Sequence, residues 1–207
     1  MTVRLMARLW VCLLGTAGPL AAQADGRVSD PLPPGYGSLT QNDLSLIMRN
    51  SELEIRFVPL DQGVLRLLAR DSYQAMHSLI RSRRAAIDSI ANLYGLSRPG
   101  LALVSFFGLT PNVRFDAQTL TLVVRNRLFR PVGIVAHTPR FTSQQLNVRE
   151  QVSAIYVYEE EIPVEHSFSL AYNGLRSDDW QGKQRALDRE RARVAARTRA
   201  NQPDSAP

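Results

Sequence analysis

Two short runs of alternating apolar and polar residues open the patterned part of the chain. They cover residues 44–49 and 52–57, and Asn50-Ser51 separates them. A period of two on both sides of a turn predicts a β-hairpin with one buried face. Proline lacks the backbone donor that a strand uses, so we expect the second strand to end at Pro59.

Helical spacing replaces this alternation in residues 61–95. Asp61 can cap a short helical turn, and Asp71 can cap a longer helix over residues 72–94. Apolar side chains on the longer helix recur at helical intervals and form one stripe: Tyr73, Met76, Ile80, Ile87, Ile90 and Tyr94. Gly95 favours the end of that helix. The pattern therefore predicts a helical insertion that contains one amphipathic helix.

Further apolar segments follow the insertion, with prolines and turn residues between them. They cover residues 101–107, 119–126, 131–137, 151–159 and 166–172. The first of these segments is apolar on both faces, which indicates a central strand that is covered on both sides. Together with the hairpin, these segments predict about seven strands.

The fold class predicted from these elements is mainly β with a helical insertion, that is, α+β. Short strands with turn signals at this spacing favour an immunoglobulin-like sandwich of two sheets over residues 38–175. Two features depart from that pattern, namely the helical insertion and the missing cysteine pair. The alternative is a single antiparallel sheet with the 72–94 helix packed on one face.

The N-terminal residues have the composition of an export signal. Arg4 and Arg8 precede a short apolar segment, and Ala22-Gln23-Ala24 matches an A-x-A cleavage site. We therefore expect residues 1–24 to be a signal peptide, whose removal would take away the only cysteine. Residues 25–37 are rich in Pro and Gly and predict an extended lead-in. No later segment is apolar enough to span a membrane, so a periplasmic or secreted location is expected.

The C-terminal part has the pattern of a charged helix. An Arg-rich helix is predicted over residues 176–200, followed by a disordered tail over residues 201–207. Its apolar residues, Trp180, Leu187 and Val194, form only a thin stripe. We expect Trp180 to dock on the domain while the later turns project into solvent.

Charge distribution argues against a nucleic-acid partner. The chain has a formal net charge of +6, but the signal and the C-terminal helix carry most of it. Residues 25–175 hold 15 basic and 14 acidic side chains. A nearly neutral body lacks the basic face that binds phosphate backbones. Arginine outnumbers lysine 24 to one, which codon bias in a GC-rich genome would also produce.

Catalytic signals are weak along the whole chain. No G-x-S-x-G elbow, H-E-x-x-H motif, P-loop or dinucleotide glycine pattern occurs. His137 ends an apolar strand and is the candidate base of a small secreted hydrolase. Glu159, Glu161 and His166 lie in YEEEIPVEHSF and are candidate ligands of a metal site, although a strand pattern would place His166 in an apolar row.

The sequence therefore favours an exported, non-enzymatic β-rich module of the envelope or exterior, without a cofactor. The expected partner is a protein or an anionic envelope surface, with no role for nucleic acid. The contact residues expected on the C-terminal helix are Trp180, Arg189, Arg193 and Arg197. The alternatives are the His137 hydrolase and the Glu/His metal site.

Overall fold

A computed structural model of the protein describes residues 32–200. The predicted signal peptide, the first part of the lead-in and the predicted tail at 201–207 lie outside the described residues. The described part is a mixed α+β fold with eleven strands in antiparallel sheets and five α-helices. The predicted fold class, β-rich with helices, is confirmed at this level.

Three helices lie between the second and third strands, at the position of the predicted insertion. In chain order the helices are α1 (Gln41–Leu44), α2 (Gln62–Leu65), α3 (Arg70–Ser82), α4 (Arg84–Leu93) and α5 (Trp180–Ala200). The strands are β1 (Leu46–Arg49), β2 (Leu53–Pro59), β3 (Gly100–Gly108), β4 (Val113–Arg114), β5 (Thr121–Val124), β6 (Arg127–Phe129), β7 (Gly133–Ala136), β8 (Gln145–Leu146), β9 (Gln151–Tyr158), β10 (Ser169–Tyr172) and β11 (Leu175–Ser177).

The longest strands form a five-stranded sheet in the order β1-β2-β3-β9-β7. The predicted hairpin is confirmed, because β1 and β2 pair antiparallel with Leu46 opposite Phe57. The predicted central strand is confirmed as well, since β3 lies in the middle of this sheet and is buried along most of its length. A four-stranded sheet has the order β11-β10-β5-β6, and β4 pairs with β8.

Aromatic rings connect the five-stranded sheet to β10 of the four-stranded sheet. The Phe106 ring of β3 lies 6.0 Å from the Tyr172 ring of β10 and stacks on Phe115 at 4.3 Å. Near the other end, the Phe57 ring of β2 lies 6.3 Å from Phe168. All of these rings belong to one cluster of buried hydrophobic side chains. A single cluster of this kind identifies one common core.

Two details of the predicted fold need correction. The prediction of about seven strands is too low, because strands of two or three residues such as β4 and β8 carry too little alternation to be recognised. The alternative of a single sheet does not fit the strands described. An immunoglobulin-like order is not confirmed either, since β1, β2 and β3 are neighbours in one sheet, whereas that fold puts its third strand in the opposite sheet.

The predicted helix over residues 72–94 is two helices. The backbone of Arg83 (φ −112°, ψ 5°) leaves helical geometry and divides α3 from α4. The apolar stripe survives the break, because α3 buries Met76 and Ile80 and α4 buries Ile87. The stripe ends before Tyr94, whose side chain is exposed.

The C-terminal helix α5 is docked on the domain over most of its length, so the prediction that its later turns project is wrong. It buries Trp180, Leu187, Glu190 and Val194. The indole of Trp180 donates a hydrogen bond to the Val164 carbonyl at 3.1 Å. Near the other end, Arg197 donates to the carbonyl of Tyr36 in the lead-in. Helix α5 is therefore part of the core, and no helix among residues 32–200 is long and apolar enough to cross a membrane.

Candidate functional site

The hairpin of β5 and β6 forms one wall of an apolar depression in the described part of the protein. Arg125 and Asn126 connect the strands, and both have positive φ values, 47° and 64°. Two consecutive residues with positive φ are typical of the type I′ turn that matches strand twist. Strand β6 pairs with β5 on one side only, and so it is an edge of the four-stranded sheet.

The segment after β9 forms the facing wall. Tyr158, the last residue of β9, pairs with Gly100 of β3. A Cβ at position 100 would lie 2.2 Å from the carbonyl oxygen of Glu160, so only glycine allows the chain after β9 to pass this close to β3. This path brings the Glu160 carboxylate within 3.6 Å of the Arg127 guanidinium of β6.

A cavity of about 270 Å³ lies between the two walls. Its apolar lining comes from both walls: Leu122, Val124, Phe129, Tyr158, Ile162 and Pro163. Charged or ionisable residues that are exposed complete the lining: Arg125, Arg127, Glu160, Glu161 and His166. The Arg127 guanidinium also lies over the Phe129 ring, 4.9 Å from its centroid. The cavity is therefore apolar inside and charged at its open side.

Tyr158 is the polar group in the apolar wall. Its side chain is fully buried, and its hydroxyl has no hydrogen-bond partner among the described residues. Burial raises the pKa of this phenol above its ordinary value, so the group stays protonated. The neighbouring Tyr156 differs, because its hydroxyl donates to the Ala117 carbonyl at 2.8 Å. An unpaired buried hydroxyl costs free energy, which makes Tyr158 an unusual component of the core.

A second surface adjoins this cavity and contains exposed apolar side chains. Glu160 and Glu161 line both the cavity and a shallow depression beside the 95–98 loop. Leu93 and Tyr94, which precede that loop, are 77% and 53% exposed. Leu128, in the middle of β6, is 67% exposed. Because Leu128 alternates with Arg127 and Phe129, its side chain lies on the side of β6 away from the cavity, as does that of its partner Val123. We use the name Leu128 face for the exposed region made of Leu128 on the β6 edge, residues 159–161, and Leu93 and Tyr94 before the 95–98 loop.

His137 does not have the surroundings of a catalytic base. The residue is exposed after the end of β7, its backbone amide donates to Ser153, and its carbonyl accepts from Arg83. Within residues 32–200, no serine or carboxylate side chain hydrogen-bonds to its imidazole. The Ser153 hydroxyl is bonded to Thr138 instead, at 3.1 Å. The structure therefore offers no support for the hydrolase alternative.

The three residues predicted as metal ligands are exposed but do not converge. The prediction that His166 belongs to an apolar strand row is wrong, because β10 begins only at Ser169 and His166 lies in an exposed bend at the cavity. Glu161 lines the same cavity, whereas Glu159 does not line it. No group of three or more potential ligands that could hold a metal ion is found in the described part of the chain.

The residues predicted as contacts on α5 have mostly internal roles. Trp180 is fully buried and stacks on Phe168, so it cannot form part of an exposed contact surface. Arg193 and Arg197 lie 3.4 Å and 3.6 Å from the buried carboxylate of Glu190. Arg189 is exposed and donates to a carbonyl of its own helix. Of the four, Arg189 and Arg193 make no side-chain hydrogen bond or ion pair to another element among the described residues.

The cavity could not be recognised from the sequence, because its two walls are far apart in the chain. The turn at Arg125-Asn126 was a usable signal, since asparagine tolerates positive φ and flanking apolar residues indicate a hairpin. No protein-family model, no curated protein and no solved structure matches the chain. The function must therefore be argued from the chemistry of the site.

Proposed function

We propose that the protein is an exported, non-enzymatic binding module that contacts another protein of the cell envelope through the Leu128 face. The observation that carries this proposal is the exposed edge strand β6, which presents Leu128 and lies beside the acidic segment 159–161. Five large hydrophobic residues are exposed in the described part, and three of them, Leu93, Tyr94 and Leu128, belong to this face.

The edge strand β6 supports a protein partner over a lipid surface. Its backbone groups on the side away from β5 are unpaired in the sheet, which is the arrangement that strand addition by a partner uses. Acidic residues 159–161 lie beside this edge, and anionic lipid headgroups would repel them. The Leu128 face therefore suits a peptide segment that brings apolar side chains and at least one basic group.

Export is the second part of the proposal. It is supported by the signal-like residues 1–24 and by the absence of cysteine from residues 25–207, which makes the mature chain independent of redox conditions. We place the mature protein in the periplasm or outside the cell. The partner is then a protein that is exposed to the same compartment.

A two-layer arrangement of the larger sheets belongs to the proposal as well. The ring contacts of Phe106 with Tyr172 and of Phe57 with Phe168 support a sandwich of the five-stranded and four-stranded sheets. In such a sandwich the β5–β6 edge is presented on a rigid layer. A rigid support is what a binding edge needs to keep its geometry.

Photo-crosslinking in the native cell tests the proposal. A photoreactive phenylalanine analogue replaces Leu128, and the matched control carries it at Ile47, which is exposed on β1 and lies outside the Leu128 face. We expect a discrete crosslinked protein from position 128 in the envelope fraction and none from position 47. Leu93→Asp on the same chain should reduce the yield about fivefold or more, because it places an unpaired charge in the interface.

Two further results would count against the proposal. A chain without residues 2–24 should stay in the cytoplasm and give no adduct, so an unchanged adduct would contradict the exported location. Equal crosslinking from positions 47 and 128 would contradict the assignment of the Leu128 face.

A further inference from the structure

The cavity between the β5–β6 hairpin and the segment after β9 is large enough for a small molecule of its own. A cavity of about 150 Å³ with an apolar lining can bind benzene. The present cavity measures about 270 Å³. Its space therefore corresponds to a bicyclic aromatic compound or a branched chain of similar size, and it does not depend on a protein occupying the Leu128 face.

The lining of the cavity favours a ligand that is largely apolar. Leu122 and Val124 come from β5, Phe129 comes from β6, and Ile162 and Pro163 come from the segment after β9. Their side chains offer no hydrogen bond to a ligand. A molecule that fills the space between them gains mainly by removing apolar surface from water.

Tyr158 adds one specific polar contact to this lining. Tyr158 lines the cavity, and its hydroxyl is buried and lacks a hydrogen-bond partner among the described residues. Solvent does not reach the hydroxyl in this geometry, so a bound molecule reaches it only when the Tyr158 ring shifts, and the molecule then supplies the hydrogen bond that the hydroxyl lacks. A protonated phenol donates most strongly to a carbonyl or ether oxygen.

Charges at the open side do not favour an anion or a cation. Arg125 and Arg127 contribute two positive charges, and Glu160 and Glu161 contribute two negative charges. Arg127 is already paired with Glu160 at 3.6 Å. A ligand with a net charge would gain little from this balanced border and would pay desolvation on entering the apolar interior.

We propose that the cavity binds a small, uncharged, largely apolar molecule with one hydrogen-bond acceptor that pairs with the Tyr158 hydroxyl. This site goes beyond the proposed protein contact and does not depend on it. The two sites share Glu160 and Glu161.

Titration with three matched probes tests this site on the purified protein. The probes are 2-acetylnaphthalene, which is neutral and has an acceptor; naphthalene, which has none; and 2-naphthoate, which is an anion. Affinities are measured by calorimetry, and backbone amide shifts of residues 121–129 and 158–166 report whether binding occurs at the cavity. The variants are Tyr158→Phe, which removes only the hydroxyl, and Tyr73→Phe, which removes a hydroxyl elsewhere, on α3.

We expect the ketone to bind most tightly and the naphthoate most weakly. Tyr158→Phe should weaken ketone binding about two- to tenfold, the range that one neutral hydrogen bond provides, and should leave naphthalene binding unchanged. Tyr73→Phe should change neither affinity. These results together would support the site.

Each other outcome overturns a defined part of the inference. Tighter binding of the naphthoate would contradict an uncharged ligand. Equal loss of ketone and naphthalene binding in Tyr158→Phe would contradict the polar contact. If no probe changes the amide shifts of the cavity residues, the small-molecule site is contradicted. The proposed protein contact is tested separately, by the crosslinking from position 128.

Discussion

The carboxylate of Glu190 accepts two hydrogen bonds from Ser38, a residue 152 positions earlier in the chain. The backbone amide and the hydroxyl of Ser38 both lie 2.8 Å from Glu190 Oε1. Glu190 is only 1% exposed, and the guanidinium groups of Arg193 and Arg197 lie beside it. Since Arg197 also holds the Tyr36 carbonyl, this carboxylate joins the lead-in to the C-terminal helix α5.

Removal of this carboxylate should destabilise the protein strongly. Glu190→Ala leaves Ser38 without its acceptor and two arginines without their counter-charge, so we expect a loss of about 3 kcal/mol in the free energy of unfolding. Urea denaturation followed by circular dichroism measures it. The control is Glu165→Gln, which breaks an exposed pair with Arg191 and should cost less than about 1 kcal/mol. Equal effects of both variants would contradict a structural role of Glu190.

The indole of Trp180 should be needed for folding of the whole domain. Trp180→Ala removes a fully buried side chain and its bond to Val164, so we expect a loss of about 4 kcal/mol in unfolding free energy. Arg189→Ala, on the exposed side of the same helix, should change stability by less than about 0.5 kcal/mol. For the same reason, a chain that ends at Ser177 should not unfold cooperatively. A cooperative thermal transition of that truncated chain would contradict the docking of α5.

Two aspartates at helix starts should respond to pH in opposite directions. Desolvation, followed by the nearby Glu161 and Glu165 carboxylates, raises the pKa of Asp61, whereas hydrogen bonds from Thr40 lower the pKa of Asp43. The folded state therefore binds a proton at Asp61 more tightly than the unfolded state, and at Asp43 less tightly. Ionised Asp61 therefore lowers the free energy of unfolding at pH values above its folded pKa, and this loss of stability fades as the pH falls through that pKa. Ionised Asp43 raises the free energy of unfolding at pH values above its unfolded pKa, and this gain in stability is lost as the pH falls through its folded pKa.

Asparagine variants separate these two contributions. Asp61→Asn keeps an oxygen for the Gly63 amide and should stabilise the protein near neutral pH, with a gain that shrinks on acidification. Asp43→Asn should destabilise near neutral pH, with a loss that shrinks below the unfolded pKa. Unfolding free energies between about pH 3 and about pH 7 provide the comparison. Parallel pH profiles of the two variants would contradict the opposite shifts.

Gly133 should be needed for the close packing of α4 on β7. A Cβ at this position would lie 2.7 Å from two carbons of Ile90, so Gly133→Ala should cost about 1–3 kcal/mol by overpacking. The same substitution in an Ile90→Ala background should cost clearly less, because the colliding atoms are gone. A double-mutant cycle by denaturation measures the coupling. Additive effects of the two substitutions would contradict a direct contact between Gly133 and the Ile90 side chain.

Much of the five-stranded sheet could be predicted from local pattern. The alternation in residues 52–57 and the apolar segment at 101–107 each lie in one continuous strand, and a strand of that length carries its own signal. The predicted strand at 166–172 is longer than β10, because Ser167 and Phe168 continue the alternating pattern although they pair with no other strand. His166 lies in a bend, where its backbone amide donates to the Pro163 carbonyl at 2.9 Å, although its sequence neighbours suggest a strand.

Helix α5 shows why the candidate sites were harder to predict. Leu187 and Val194 indicated a thin stripe, but Glu190 lies on the same face and reads as a solvated charge in the sequence. The buried carboxylate of Glu190 is hydrogen-bonded to Ser38. Because these two residues are far apart in the sequence, no local sequence pattern reveals the contact. The cavity has the same property, because Leu122 and Tyr158 become neighbours only when the sheets are assembled.

Hydroxyl-radical footprinting tests the central claim, binding through the Leu128 face, most directly. The protein is labelled in its native envelope and again after purification, and oxidation of individual side chains is compared by mass spectrometry. The account predicts that labelling of Leu93, Tyr94 and Leu128 falls in the envelope, while Ile47 and Val148, which are also exposed, are labelled equally in both samples. Equal labelling of Leu128 in both samples would contradict it.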